Sequence, residues 1–295
     1  MLLNAYYGTA HNSQPNYVAE ISGQGPNPQM QADCQTYSPF VGTGTASPGQ
    51  AVGDGCVFPS TVKTVADQLT ASGRTWKGYM EDMGTPCRHP ALARVDDTQK
   101  AKVGDEYAAR HNPFVYFQSI TGSAACAKND VDLSKLPTDL ASVSTTPNLS
   151  LITPNLCDDG HDSPCVDGRP GGLVSADAWL KQWVPKITSS PAFKQDGVLV
   201  ITFDESDGPQ SDASSCCNEG PGPNTALPGI SGLGGGTGRR ARAVAVREGR
   251  HVVDHAVQPL QPAREHRGHL RAAVPGLRRD AGLNHFGLDV YNYRN

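Results

Sequence analysis

Apolar residues in this chain repeat with two different periods, and the two alternate along the sequence. Over Leu173 to Ile187, the residues Ala176, Trp179, Leu180, Trp183 and Val184 recur at helical spacing. That spacing predicts an amphipathic helix with its tryptophans in the core. Val62, Val65, Ala66 and Leu69 predict a second helix over 62–71, capped by Ser60 and stopped by Gly73. A third is expected over 133–143, started or interrupted by Pro137. A short one ends at Gly23, with Ser13 at its N-cap position and Pro15 in its first turn. Strands are expected at 75–80 and 149–153. Residues 197–203 form a continuous apolar run, as a central parallel strand does. An amphipathic helix between the last two strands suits a right-handed crossover, so the chain reads as α/β.

The connecting segments are long and polar. Residues 24–59 are rich in Gly, Pro, Gln and Ser and contain Cys34 and Cys56, which predicts a surface loop stapled by a disulfide. The glycine run from Gly234 to Gly238 lacks the lysine and the preceding strand of a phosphate loop, so it reads as a flexible linker. With 295 residues, one large domain or two smaller ones are possible, and 37% hydrophobic residues suffice for a sizeable core. A net charge of -4 gives no reason to expect nucleic acid or an anionic membrane as partner. No apolar run approaches the roughly 20 residues of a membrane span. A monomer is expected.

Eight cysteines without a zinc-type CxxC pair suggest disulfides and a secreted or cell-envelope protein. Cys157 and Cys165 flank a tight loop that they can close. Cys216 and Cys217 are adjacent, so at most one of them is expected to pair simply. The other pairings stay open.

The chemistry concentrates in a few places. Residues Tyr6 to Tyr17 hold His11, Asn12, Ser13 and Asn16 within a dozen positions. A hydroxyl at a helix N-terminus faces free N–H groups and the positive end of the dipole, which suits a bound phosphate or an ionising serine nucleophile. It also suits a plain cap. Asp204 and Glu205 close a buried strand, a costly position unless the acids are paired or hold a metal. Asn155, Asp158, Asp159, His161 and Asp162 follow the strand at 149–153, where open α/β sheets bind ligands. Glu81 and Asp82 read as a solvated turn.

Four blocks in order carry a resemblance. They are YYGTAHNSQPNYVAEISG from Tyr6, RHNPF from Arg110, TPNLCDDGHD from Thr153 and ITFDE from Ile201. Together they resemble the bacterial phosphoesterase family of acid phosphatases and phospholipases C, nearest to secreted acid phosphatases acting on phosphatidylinositol 3-phosphate. The resemblance covers about residues 2–237. It implies an alkaline-phosphatase-like three-layer α/β/α sandwich with a mostly parallel central sheet. It also implies hydrolysis of a phosphate monoester or phosphoinositide. Ser13 is the expected nucleophile, with Thr9 as second choice, and His161 and His111 complete the expected catalytic set. His11, Asn16 and Asn155 are expected at the substrate. Asp204, Glu205 and Asp159 are expected at a divalent metal of unknown identity, and a metal-independent reaction stays open. A phospholipase C-type phosphodiesterase and an inactive relative are the alternatives. Family members carry an upstream strand ending in Glu-Asn that has no counterpart here, so that strand and a leader are expected upstream.

Residues 239–283 break the composition. They hold ten of the sixteen arginines, none of the nine lysines, and no Ser, Thr, Asn, Ile, Phe, Tyr, Trp, Met or Cys. A basic nucleic-acid tail ordinarily mixes Lys, Ser and Gly. With permitted codons, residues 256–276 read one base out of frame spell a peptide containing NHYSLL and then IED, which resembles the family's C-terminal active-site block. The domain organisation expected is therefore a phosphoesterase domain over 1–238, an out-of-frame, poorly ordered segment over 239–281, and a family-like C-terminus over 282–295.

Overall fold

The computed structural model describes residues 2–3, 5–46, 49–238, 241–245 and 252–253. The elements run β1 (Leu2–Leu3), α1 (Ser13–Ser22), β2 (Val41–Ala46), β3 (Gln50–Asp54), α2 (Val65–Ala71) and β4 (Trp76–Met80). Then come α3 (Gln118–Thr121), α4 (Ala125–Asn129), β5 (Asp130–Asp132), α5 (Leu136–Asp139), β6 (Leu149–Thr153) and α6 (Gly172–Ser189). The last are α7 (Pro191–Asp196), β7 (Val198–Ile201), β8 (Ala241–Ala245) and β9 (Val252–Val253).

The central element is β4. It pairs in parallel with β5 on one side and β6 on the other, with Trp76 opposite Leu149 and Met80 opposite Thr153. Side chains alternate across the pleat. Trp76 and Met80 enter a core with Val18 and Ile21 of α1, Val65, Ala66 and Leu69 of α2, and Phe114. Tyr79 and Val131 enter a second core with Leu136 of α5 and Trp183 of α6. Helices thus cover both faces of a three-stranded parallel sheet, and the fold is an α/β sandwich.

Gly78 marks how closely this packing is drawn. A Cβ there would lie 2.7 Å from the Phe114 ring and 2.9 Å from Asp130 Oδ1. Phe114 and Asp130 are both fully buried. Gly78→Ala is therefore expected to cost about 1–3 kcal/mol by overpacking. Urea denaturation at constant m-value checks it.

The strands at 76–80 and 149–153 and the helix at 172–189 lie where the periodicity predicts them. Elsewhere the structure departs from expectation. The cap of α2 is Thr64, not Ser60, because Thr64 and Asp67 close a reciprocal capping box. Residues 133–143 form a 3-10 turn and the four-residue α5, not one helix. The run expected as a central parallel strand is β7, the outer strand of a second sheet ordered β7-β8-β1-β9. β7 is antiparallel to β8, and Val198 is 37% exposed. An apolar run reports coverage of side chains, not the direction of the neighbouring strand, so sequence could not separate these cases.

The loop at 24–59 holds the hairpin β2–β3, which its Gly-Thr-Gly-Thr composition hides. Disulfides join Cys34–Cys56, Cys87–Cys126, Cys157–Cys165 and Cys216–Cys217. The last corrects the expectation that at most one of these neighbours pairs: they bond to each other. Within the composition break, 241–245 and 252–253 form β8 and β9. The rest of the segment expected to be out of frame, and the family-like C-terminus at 282–295, lie outside the described residues. Among the described residues no helix is long and apolar enough to cross a membrane.

Candidate active site

The site begins at the entrance to α1. Asn12, not Ser13, is the N-cap residue, with extended backbone. Ser13 is the first residue of the helix, half-buried, and its hydroxyl makes no hydrogen bond within the described residues. The capping role weighed for Ser13 is thus not the one it plays. Asn12 Nδ2 donates to the Gln31 carbonyl at 2.9 Å, and the Gln14 N–H donates to Asp33 Oδ1 at 2.9 Å. These bonds fix the first turn against the 31–33 segment. Gly23 in the left-handed region closes the helix as expected.

Asn16 shapes the loop before the helix. Its Oδ1 accepts from the Thr9 and Ala10 N–H groups at 2.8 and 3.0 Å. Its Nδ2 donates to the Ala10 and Asn12 carbonyls at 2.8 and 3.0 Å. The amide is fully spent on the backbone and 2% exposed. This contact set holds the turn that presents Ser13 and leaves no hydrogen-bonding capacity for the substrate contact expected of Asn16. Thr9, the second-choice nucleophile, is 3% exposed and its Oγ1 has no hydrogen-bond partner among the described residues.

The acids at 204–205 meet this same turn. His11 Nδ1 contacts Glu205 Oε2, and His11 Nε2 donates to the Asp212 carbonyl at 2.9 Å. His11 is completely buried with both ring nitrogens engaged, which leaves neither nitrogen free for the substrate contact expected of it. Burial works against a charged ring, yet Glu205, the Asp212 carbonyl and the Asp204 charge outweigh it and raise His11 above ordinary histidine. Burial, helped by the adjacent Asp204 charge, pushes Glu205 up to about 7 against the pull of His11.

Backbone packing explains why these segments touch. A Cβ on Gly8 would lie 2.8 Å from the Asp204 carbonyl oxygen, and one on Gly235 would lie 2.1 Å from the Ala10 carbonyl oxygen. Gly8 and Gly235–Gly236 exchange backbone hydrogen bonds at 2.8 and 2.9 Å, and Ser206 N donates to the Gly235 carbonyl at 2.8 Å. The glycine run read as a flexible linker is therefore a strap packed between residues 8–10 and 204–214. Asp212 fastens it, accepting from Thr237 N and Oγ1 at 2.9 and 2.6 Å.

The other two blocks close on Tyr17. His111 stacks on its ring at 5.1 Å, and His111 Nδ1 lies 3.6 Å from Asp159 Oδ2. Burial drives His111 well below the usual histidine range, with the Arg110 and His161 charges adding to it. Burial also pushes Asp159 up to about 7, opposed by the His161 N–H at 2.9 Å and reinforced by Asp204. Asp204 acts on Tyr17, His11 and Asp159 alike, so one carboxylate reaches two of the other three blocks. His161 is different: its side chain is 80% exposed and its Nδ1 sits 2.9 Å from Asp162 Oδ1, which raises its pKa.

Asn155 belongs to a neighbouring network. Its N–H donates to Glu81 Oε2 at 3.1 Å and its Nδ2 to Asp82 Oδ2 at 2.7 Å. The solvated turn expected at 81–82 is thus corrected for Glu81, which burial raises to about 7.

The carboxylates expected at a metal do not assemble a binding set. Among the described residues, Asp204, Glu205 and Asp159 form no group of three ligand atoms within 4.8 Å. The two groups that do each contain a disulfide-bonded cysteine pair, which is no metal ligand. Glu205 is also taken by His11.

Sequence reading missed Tyr17, Asp33, Asp212 and Gly235. Tyr17 lies within the first block and Asp33 and Asp212 within loops, so spacing alone gave no signal. Gly235 had one: three consecutive glycines mark a close backbone approach as readily as a linker.

The Phosphoesterase family model matches residues 1–242. An acid phosphatase of Aspergillus fumigatus is 24% identical over 205 residues, covering 70% of this chain and 38% of its own length. The phosphate-repressible acid phosphatase of Penicillium chrysogenum is 27% identical over 207 residues, covering 70% and 41%. An acid phosphatase of Aspergillus niger is 24% identical over 209 residues, covering 70% and 40%. These relatives are fungal, where the motifs resembled bacterial members. The chain spans about two fifths of the length of the curated relatives it matches.

Proposed function

Because this chain belongs to the Phosphoesterase family, we propose that it hydrolyses phosphate monoesters through a phosphoserine formed at Ser13. The supporting observation is convergence. His11, just before α1, contacts Glu205, and His111 stacks on Tyr17 of α1 and lies 3.6 Å from Asp159. In this reading Ser13 Oγ attacks phosphorus as its proton passes to solvent, and the P–O bond to the alcohol breaks; water then attacks the phosphoserine phosphorus and gives a proton back to Oγ as phosphate leaves. The N-terminus of α1 turns the positive end of its dipole to the phosphoryl oxygens, with the Gln14 N–H already bonded to Asp33 and Pro15 without an N–H. Exposed His161, charged in mild acid, gives its proton to the departing alkoxide. His111, stacked on Tyr17, packs beside Asp159, which accepts from the His161 N–H. The buried pair His11–Glu205 fixes the loop that presents Ser13 and keeps a proton in place of a second net charge. The substrate class is a small phosphate monoester, a phosphoinositide headgroup included. Four disulfides suit an exported enzyme.

Hydrolysis of p-nitrophenyl phosphate tests this reading, and its pH profile tests the assignment. Glu205 and Asp159 both release protons near 7. As pH rises through that value they gain negative charge beside a phosphate dianion, and His161 loses the proton it donates. The predicted kcat/KM is highest in acid and falls about tenfold per pH unit above about 7. A profile that rises through pH 8, or no turnover at any pH, contradicts the proposal.

A further inference from the structure

A cavity of about 310 Å³ opens beside Arg110 and His161. Lys100, Arg110 and His161 line it with Leu156, Pro164 and Val166. The cationic groups are unequally committed. Lys100 is exposed and has no ion pair among the described residues. Arg110 is largely buried. Its Nη1 donates to the Gln99 carbonyl at 2.9 Å and its Nε is 3.9 Å from Asp33 Oδ2, which leaves Nη2 unbonded within the described residues. His161 is matched by Asp162, the one acid on the wall, at 2.9 Å. The wall therefore carries two cations that no acid on it balances, next to an apolar shelf.

The cavity is tied to the proposed catalytic turn. Asp33 reaches Arg110 with one oxygen and the Gln14 N–H of α1 with the other. Gln99 fixes the rim, donating from Nε2 to the Asp33 carbonyl and to Asp96 Oδ2, each at 2.8 Å. His161 belongs to both places: it lines the cavity and protonates the leaving oxygen in the reading above. The alcohol half of the ester then leaves into this cavity.

Resting on the proposed phosphomonoesterase activity, we infer that the cavity is a leaving-group subsite for phosphate monoesters whose alcohol portion carries a second anionic group, with Lys100 and Arg110 as the residues that select it. A carboxylate and a second phosphate offer the same chemistry to these cations. Arg110 Nη2 supplies a directed, partly desolvated hydrogen bond, and Lys100 supplies a mobile point charge at the mouth.

The test compares matched ligand pairs by calorimetry on the Ser13→Ala protein. Glycerol 3-phosphate against 3-phosphoglycerate isolates a carboxylate, and fructose 6-phosphate against fructose 1,6-bisphosphate isolates a second phosphate. The more anionic member of at least one pair is expected to bind about tenfold tighter. Whichever pair shows the preference identifies the anion. Lys100→Ala is expected to cut that ratio to about twofold, Lys100→Arg to restore it, and higher ionic strength to shrink it in the parent protein. Equal affinities within both pairs, no binding of any ligand, or a ratio unmoved by Lys100→Ala would overturn the inference. Should Ser13→Ala still turn over substrate, the same ratios are read as kcat/KM. A protein that discriminates within a pair yet never hydrolyses p-nitrophenyl phosphate refutes the hydrolase reading and leaves the subsite standing.

Discussion

Replacing Ser13 by alanine is expected to lower kcat for p-nitrophenyl phosphate by about 10⁴-fold or more while the protein stays folded. The size follows from the role: removing a covalent nucleophile deletes the reaction path, whereas removing a group that only orients or binds leaves it open. The structural cost should be small. Ser13 is half-buried, is not the helix cap, and its hydroxyl makes no hydrogen bond within the described residues. Asn12, Asn16 and the Gln14–Asp33 bond hold the turn without it. Urea unfolding within about 0.5 kcal/mol of the parent, beside collapsed turnover, is the expected combination. Activity within tenfold of the parent would remove Ser13 from the chemistry. Thr9, whose buried Oγ1 has no hydrogen-bond partner among the described residues, would be the next position to substitute.

The second large effect is expected far from Ser13 in sequence. Gly235→Ala places a methyl group 2.1 Å from the Ala10 carbonyl oxygen and about as close as the backbone of Gly8, at 3.0 Å, permits. Backbone on both sides leaves no flexible side chain to yield. The strap must move, and with it the residues it holds together: Gly8 through paired backbone bonds, and Ser206 through the Gly235 carbonyl. A shift of about 1 Å at a site whose geometry sets the rate costs about 100-fold. We expect a loss of that order in kcat/KM, with about 1–3 kcal/mol of destabilisation from overpacking. The α/β core around β4 should survive, because its packed clusters include no residue of the strap. Far-ultraviolet circular dichroism and p-nitrophenyl phosphate kinetics on one sample separate the two effects. Parental kinetics with a weakened fold would show that the strap serves stability alone.

What could be read from sequence divides along physical lines. β4, β6 and α6 were legible because each is decided by local periodicity, and the structure keeps their ranges within a residue or two. The fate of β7 was not, since its pairing with β8 depends on residues some forty positions away that show no strand signal of their own. Of the residues the sequence singled out, the structure puts His11 in contact with Glu205 and His111 Nδ1 3.6 Å from Asp159. How they are used was less legible. His11 and Asn16 turned out to be saturated by protein partners, a fact of folded geometry that no spacing encodes. Gly235 was misread because composition describes a glycine run, whereas its meaning lies in what approaches it.

The pKa pattern ties the fold to the chemistry. Glu81, Asp159 and Glu205 all sit near 7 for one main reason, burial at the C-terminal side of the strands, where water is replaced by packed backbone. A site so arranged carries less negative charge in mild acid than its count of carboxyl groups implies. In the proposed reaction a phosphate dianion is then met with reduced repulsion.

The central claim is that the hydroxyl at the first turn of α1 takes the phosphoryl group. Acid quenching during turnover of p-nitrophenyl phosphate, followed by mass spectrometry of the peptide containing Ser13, tests it most directly. The account predicts a phosphoryl group on Ser13 that accumulates with substrate and disappears when substrate is exhausted. Steady turnover with Ser13 unmodified and the phosphoryl group on another side chain would contradict it.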